Sequence, residues 1–204
     1  MQRIDFRLYL LTNRNLLPPD TLVERLEILA RAGIKAVQIR EKDLSAKDLL
    51  QLANQIKNFS NKLFINDRAD VAYAAGAEGL HLPEHGLSVH EARKIIRDRL
   101  IGKSTHSIES ALRAESEGAD FITFGPIYDT PSKRQYGAPL GIIKLEEAAK
   151  KISIPIFAIG GINPERAKEC LNAGAFGVAV ISDLLLSENL ELQVKKYLDA
   201  LGSL

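Results

Sequence analysis

Four segments of the chain repeat one design: RAGIKAVQI (31–39), AAGAEGLHL (74–82), SEGADFITF (116–124) and NAGAFGVAV (172–180) each run from a helix end through a glycine into an apolar run. Gly33, Gly76, Gly118 and Gly174 stand where a helix closes with a residue of positive φ, a conformation that glycine adopts without a Cβ clash. A repeated helix, glycine and strand unit confines the chain to architectures that alternate helices with parallel strands.

Eight short apolar runs follow this rhythm: RLYLLTN (7–13), AVQIR (36–40), LFIND (63–67), GLHL (79–82), LIGKSTH (100–106), FITFGP (121–126), PIFAIGG (155–161) and GVAVIS (177–182). They are almost continuously apolar, as strands covered on both faces are. Helix-like segments separate them, among them PDTLVERLEILARAG, SAKDLLQLANQIKNF, SVHEARKIIRDR, SIESALRAESEG, GIIKLEEAAKKI, NPERAKECLNAG and a C-terminal DLLLSENLELQVKKYLDALG. Ser45, Ser88, Ser107 and Asn163 occupy N-cap positions, and Pro164 follows as a first helical residue. Right-handed crossovers through so many units close into a (β/α)8 TIM barrel, a single domain over residues 1–204; an open doubly wound sheet is the alternative.

With 204 residues and 46% hydrophobic content the chain can bury one substantial core. A net charge of +1 excludes a global field for nucleic acid or an anionic membrane but leaves room for a local basic pocket. Cys170 is the single cysteine, the N-terminal MQRIDFRLYLLTN lacks a signal-type apolar stretch, and no apolar run reaches the ~18 residues of a membrane span. The expectation is a cytoplasmic chain acting on small molecules, with a homo-oligomer left open.

FITFGPIYDTPSKRQYGAPLG (121–141) turns from apolar to irregular halfway along. In a barrel, IYDTPSKRQYGAPLG is the loop after strand six, on the face where barrel enzymes keep their chemistry. At about 15 residues it exceeds the usual 2–6 for such loops, and residues 127–141 are expected to act as a lid that orders on binding.

Polar residues gather at the other strand ends too: Gln38, Arg40, Glu41 and Lys42; Asn66, Asp67 and Arg68; His81, Glu84 and His85; Ser104 and His106; Gly160, Gly161 and Ser182. IGGIN and VISDL each bring backbone N–H groups before a helix N-terminus, the recurrent phosphate site after strands seven and eight. The alternative is that Gly160 and Gly161 only make a tight turn and Ser182 only caps its helix. Arg40, Lys42 and Lys133 bring cations to the same rim, which implies a second, more highly charged anion such as a diphosphate. Strand alternation puts Gln38 and Arg40 on one face, where an inward Arg requires an anion or a carboxylate. Asp67 is a candidate Mg2+ ligand, or else a partner of Arg68 or Arg40. Ser104 and His106 share a side, where imidazole moves protons, binds substrate or caps. His81, inside an apolar run, reads as structural, and His90 as an exposed helix residue.

LYLLTN, VQIREK, INDRAD, GLHLPE, GKSTHS, FGPIYDTPSK, AIGGI and GVAVIS, in this order along nearly the whole chain, resemble the thiamine-phosphate synthase family and its thiazole tautomerase relatives. The resemblance implies a barrel enzyme, a transferase, that joins 4-amino-2-methyl-5-(diphosphomethyl)pyrimidine to thiazole phosphate with Mg2+, releasing diphosphate and giving thiamine phosphate. By the same resemblance Gln38, Ile39, Arg40, Glu41, Lys42, Asn66, Ser104 and Lys133 hold the pyrimidine diphosphate, and Asp67 ligates the metal. Thr130, Pro131, Ser132, Gly160, Gly161, Ile181 and Ser182 hold the thiazole phosphate, and Ser104, His106 and Lys133 are the catalytic candidates.

One loop departs from the family pattern: synthases read H-x-G-Q-x-D after strand four, whereas this chain reads HLPEHGLS, with Glu84 as the nearest substitute metal ligand. The tautomerase relatives carry a similar loop. A thiazole tautomerase with His106 as proton carrier, or a non-catalytic binder of thiazole or thiamine phosphate, are therefore the alternatives.

Overall fold

The computed structural model describes residues 4–130 and 138–202. Strands β1 (Leu8–Leu11), β2 (Ala36–Ile39), β3 (Lys62–Asn66), β4 (Gly79–Leu82), β5 (Leu100–Thr105), β6 (Phe121–Phe124), β7 (Ile156–Ile159) and β8 (Gly177–Val180) pair in parallel in chain order. β8 returns to β1, with Tyr9 opposite Ala179, and closes the expected barrel.

Helices α1 (Leu22–Arg31), α2 (Ala46–Lys57), α3 (Ala69–Ala74), α4 (Val89–Ile96), α5 (Ile108–Ser116), α6 (Gly141–Ala149) and α7 (Pro164–Asn172) connect the strands. The short α3 lies in DRADVAYAAG, a segment that the apolar pattern did not single out. The C-terminal stretch expected as one helix is two, α8 (Ser182–Leu185) and α9 (Leu190–Leu201), because Asn189 caps a new start by accepting from Leu192 N at 3.0 Å. Ser182 is accordingly the first residue of a four-residue helix, and the N-cap position falls on Ile181.

Local chemistry sets the other boundaries. Ser45, Ser88, Ser107 and Asn163 accept from the backbone N–H three residues on, at 3.2, 3.1, 3.0 and 2.8 Å. Gly33, Gly76, Gly118 and Gly174 take φ values of 117°, 60°, 87° and 93°, closing their helices as the repeat requires.

Strand alternation divides the core. Leu8, Leu10, Val37, Ile39, Leu63 and Ile65 face the helices. Tyr9, Phe64, Phe121 and Phe157, joined by Phe6, fill the barrel interior, with ring centroids 5.2–6.1 Å apart. The crowding leaves no space for side chains on the neighbouring strands: a Cβ on Gly79 would meet the Leu100 carbonyl oxygen at 2.4 Å and the Phe64 ring at 2.6 Å. One inward step nearer the C-terminal strand ends, the rings give way to Gln38, His81, Ser104 and Thr123, a polar layer directly above an apolar floor.

A Gly79→Ala exchange tests this packing. The obstacle is a backbone carbonyl that cannot rotate away, so the variant should lose about 1–3 kcal/mol, read as a lower urea midpoint at unchanged slope.

Candidate active site

The polar layer is one hydrogen-bonded chain. Gln38 Nε2 donates to Tyr9 Oη at 3.2 Å, Tyr9 Oη lies 3.5 Å from His81 Nδ1, and His81 Nε2 lies 3.0 Å from Ser104 Oγ. Thr123 Oγ1 donates to Ser104 Oγ at 3.5 Å. Burial, followed by the charges of Arg40 and Lys103, pushes the His81 imidazole down to about 3, so it is neutral at physiological pH. Burial likewise raises the Tyr9 phenol well above its ordinary value, partly offset by its bond to Gln38. Gln38 Oε1 is buried and has no hydrogen-bond partner among the described residues. His81, expected to be structural, is buried within the barrel on the same face as Gly79.

Above this layer stands the rim. Arg40, half-buried, follows Gln38 by one inward step. Its charge, and then burial, lower the Lys42 ammonium, while Asp67 acts in the opposite sense, so these three charges lie within reach of one another. Asp67 follows β3 in a left-handed conformation (φ 63°), fixed by its N–H donating to His81 O at 2.9 Å. The alternative pairing of Asp67 with Arg68 is not formed: the Arg68 guanidinium makes two bonds to Asp70, at 2.9 and 2.5 Å. Asn66, the last residue of β3, sits opposite His81.

Two residues expected at the substrate are used otherwise. Glu41 is 5% exposed; Thr12 Oγ1 donates to it at 2.5 Å and Arg14 adds its backbone N–H at 3.1 Å and its guanidinium at 3.3 Å. Its carboxylate therefore ties down the loop after β1, where a 3-10 turn (Arg14–Leu16) begins. Ile39 points its side chain into the helix-facing core, as alternation demands of a residue between inward Gln38 and Arg40.

The β4 loop also differs from expectation. The residue packed against the Asp67 carboxylate is Gly86, where an added Cβ would lie 2.9 Å from Asp67 Oδ1. Glu84 Oε1 accepts from the His106 N–H at 3.2 Å, and its Oε2 lies 3.7 Å from His85 Nε2. Among the described residues, no group of three or more His, Cys, Asp or Glu is placed to hold a metal. Lys103, which the sequence reading overlooked, is buried at 7% exposure and donates to Leu87 O at 2.9 Å. Burial lowers its ammonium, against the opposing charges of Glu117, Asp67 and Glu84. His106 Nδ1 is hydrogen-bonded to the Gly125 carbonyl; because a carbonyl only accepts, Nδ1 is the donor of this bond.

Beyond β6 the chain does not leave the barrel at once. Ile127 N and Tyr128 N donate to Ile159 O and Gly160 O at 2.8 and 3.1 Å, and Leu140 N and Gly141 N return to Pro126 O and Ile127 O at 2.8 and 3.1 Å. Residues 127, 128, 140 and 141 are thus anchored, and the middle of the lid expected over 127–141 lies outside the described residues. Pro131, Ser132 and Lys133 lie outside the described residues, and Thr130 is the last one before them. Gly160 (φ 99°) and Gly161 (φ 64°) admit this segment: added Cβ atoms would lie 2.6 Å from Pro126 and 2.8 Å from Asp129 O. Arg166 secures the junction by donating to Gly161 O at 2.6 Å while covering the Tyr128 ring at 4.5 Å, and Tyr128 Oη donates to Glu169 at 2.6 Å. Ile181 precedes α8 half-buried, and Ser182 is exposed beside it.

Two consequences are measurable. Replacing Arg166 by Leu removes a partly exposed hydrogen bond and a cation–π contact, and should cost about 1 kcal/mol in urea unfolding. For His81 the folded-state value lies below the 6.5 of the free side chain, so the unfolded chain takes up the proton first. Stability present above pH 6.5 should therefore fall as pH drops toward 3, by about 1.4 kcal/mol per pH unit, and His81→Gln should lack this component.

Among the described residues, no helix is long and apolar enough to cross a membrane. The family described as thiamine monophosphate synthase matches residues 8–184. The chain is similar to the thiamine-phosphate synthase of Clostridium novyi (strain NT), 38% identical over 92% of this chain and 95% of that one. It is also similar to that of Clostridium botulinum (strain Eklund 17B / Type B), 36% identical over 99% and 98%. Among solved structures, the thiamine phosphate pyrophosphorylase from Pyrococcus furiosus superposes with a TM-score of 0.86 at 30% identity, covering 96% of this chain and 95% of its own. A 3-hexulose-6-phosphate synthase, at 16% identity and a TM-score of 0.72, shares the fold alone. With its barrel closed and the rim groups of β2, β3 and β5 gathered over one polar layer, the chain belongs to the thiamine monophosphate synthase family.

Proposed function

We propose that this chain is a transferase that condenses 4-amino-2-methyl-5-(diphosphomethyl)pyrimidine with thiazole phosphate to give thiamine phosphate and diphosphate. The observation that carries the reading is the meeting of Arg40, Lys42 and Asp67, from two βα units, above the Gln38 and Ser104 layer. Two cations there match a diphosphate, and the polar layer offers fixed hydrogen-bonding groups to a heteroaromatic ring.

In the reaction the bond between the pyrimidine methylene carbon and the diphosphate oxygen breaks, with its electron pair leaving on oxygen. The thiazole nitrogen then donates its lone pair to that carbon. The work for the protein is to stabilise charge on the departing diphosphate and on the electron-poor methylene. Arg40 and Lys42 face the first task, with Lys133 assigned to the same anion by its motif. Gly160, Gly161 and Ser182, at the strand ends where barrels bind phosphate, are assigned to thiazole phosphate. Phosphorylated substrates do not cross membranes unaided, which supports a cytoplasmic setting.

Asp67 fits a Mg2+ site of the sparse kind, in which one carboxylate and substrate phosphate oxygens suffice. When bound there, the ion would supply positive charge to the diphosphate. Glu84 would join through Oε2, its Oε1 accepting from the His106 N–H.

A specific observation favours a second reading. Gly125 O holds the His106 ring by Nδ1 and leaves Nε2 uncommitted to the protein; in a neutral ring Nε2 would be the base that a thiazole tautomerase needs. Incubation with both synthase substrates and Mg2+ decides between them: thiamine phosphate should form, and Arg40→Met should lower kcat/KM by about 100-fold or more. No product above background, together with His106-dependent isomerisation of the thiazole phosphate carboxylate, would make the protein a tautomerase; binding without turnover would leave a non-catalytic phosphate binder.

Position 86 offers an independent check. Gly86→Asp puts a second carboxylate beside Asp67 and should tighten Mg2+ by about 10-fold in a titration of activity. Its Cβ crowds Pro83 at 2.9 Å, so some stability should be lost.

A further inference from the structure

Donors and acceptors across the barrel interior are not interchangeable, and their order fixes a direction. The Gln38 amide donates to Tyr9 Oη, which places an acceptor lone pair of the phenol at that end. The single phenol hydrogen is then directed to His81 Nδ1, the next atom of the chain. His81 is 1% exposed and packed between the rings of Tyr9 and Phe121, each 5.7 Å away. A neutral imidazole accepting at Nδ1 carries its hydrogen at Nε2, which faces Ser104 Oγ at 3.0 Å. Thr123 Oγ1 lies 3.5 Å from Ser104 Oγ, to which it donates, and 3.5 Å from His81 Nε2, so it shares the Nε2 hydrogen with the nearer Ser104 Oγ. Both bonds leave the half-buried serine an acceptor toward the barrel and its own hydrogen unused within it.

We propose that His81 is a positioning residue: held by Tyr9 as the Nε2–H tautomer, it makes Ser104 present a hydrogen-bond donor, not an acceptor, to the mouth of the barrel. The chemical class that this recognises is an acceptor atom of the substrate, a ring nitrogen or an anionic oxygen. The opposite polarity, with Nδ1–H donating to Tyr9 and Ser104 donating to Nε2, would turn the serine into an acceptor at the same spot. That Ser104 meets substrate at all rests on the reading above; the tautomer of His81 does not.

The test is a long-range 15N–1H spectrum of the full chain at neutral pH, in which only four histidines contribute. His81 is assigned by the set of signals missing from His81→Gln. The expected result is a protonated Nε2 and an unprotonated Nδ1, with the Nε2 signal displaced in Ser104→Ala and the tautomer preference weakened in Tyr9→Phe. An Nδ1–H tautomer, an imidazolium, or an Nε2 signal indifferent to Ser104→Ala overturns the proposal. Turnover adds a second readout. His81→Gln, whose amide N–H can replace Nε2–H, should keep kcat within about threefold, whereas His81→Leu should lower it about 10- to 100-fold. Equal losses in the two variants would count against positioning. If the spectrum is as expected and no thiamine phosphate forms, the synthase reading fails while the placement of Ser104 stands.

Discussion

Closure of the barrel governs everything that follows, because every second residue of each strand must then point at the other strands across a narrow interior. In this chain that space is filled to capacity near the N-terminal side by Phe6, Tyr9, Phe64, Phe121 and Phe157, and Gly79 and Gly102 exist to make room for them. A Cβ on Gly102 would lie 2.4 Å from Phe121 and 2.6 Å from His81 Nδ1. The first level at which polar groups can appear is therefore one inward step above the rings, where Gln38, His81, Ser104 and Thr123 stand. Their bonds are strengthened by the dry floor beneath them, and the same dryness makes the unpartnered Gln38 Oε1 costly unless something else occupies it.

The alternation also explains what was legible in the sequence. Caps and helix stops are local, so Ser45, Ser88, Ser107, Asn163 and the four repeat glycines announced themselves, and the eight strands followed. Arg40 was read as inward from its spacing to Gln38, and its charge does reach His81. Partnerships between distant segments were not legible. Glu41 lies in a motif that the family uses for substrate, yet its carboxylate is spent on Thr12 and Arg14, a bond that depends on how the β1 loop crosses β2. Glu84 is the acid nearest to the missing one in sequence, but that its Oε1 accepts from the His106 N–H, across two loops, could not be read there. Pattern alone did not divide the C-terminal helix, because Asn189 caps from within a continuous run of helix-compatible residues.

Gly160 and Gly161 show why a functional and a structural account of one motif need not compete. Their positive φ values allow the turn after β7, and their missing Cβ atoms admit the backbone of Pro126 to Asp129 at contact distance. The loop after β6 thereby shares a wall with the strand ends assigned to a phosphate. Arg166 grips both partners at once, through Gly161 O and the Tyr128 ring. An anion settled on this turn would be read directly by the anchored start of the loop that carries Lys133, with no relay through the barrel.

The β4 loop carries the sharpest chemical trade. Where a synthase of the usual pattern sets two carboxylates side by side, this chain leaves Asp67 against a glycine, with the Lys103 ammonium acting on it from the helix-facing layer. Two carboxylates in contact repel, and each raises the other's proton affinity until a divalent ion offsets their charge. Asp67 here stands against a glycine with the positive charge of Lys103 within electrostatic range, and that charge opposes the approach of a divalent ion. Under the proposed reaction, a carboxylate so placed would suit a cation held mainly by the oxygens of the diphosphate. In the proposed reaction, stabilising charge on the diphosphate would then fall more heavily on Arg40 and Lys42, which follow the end of β2.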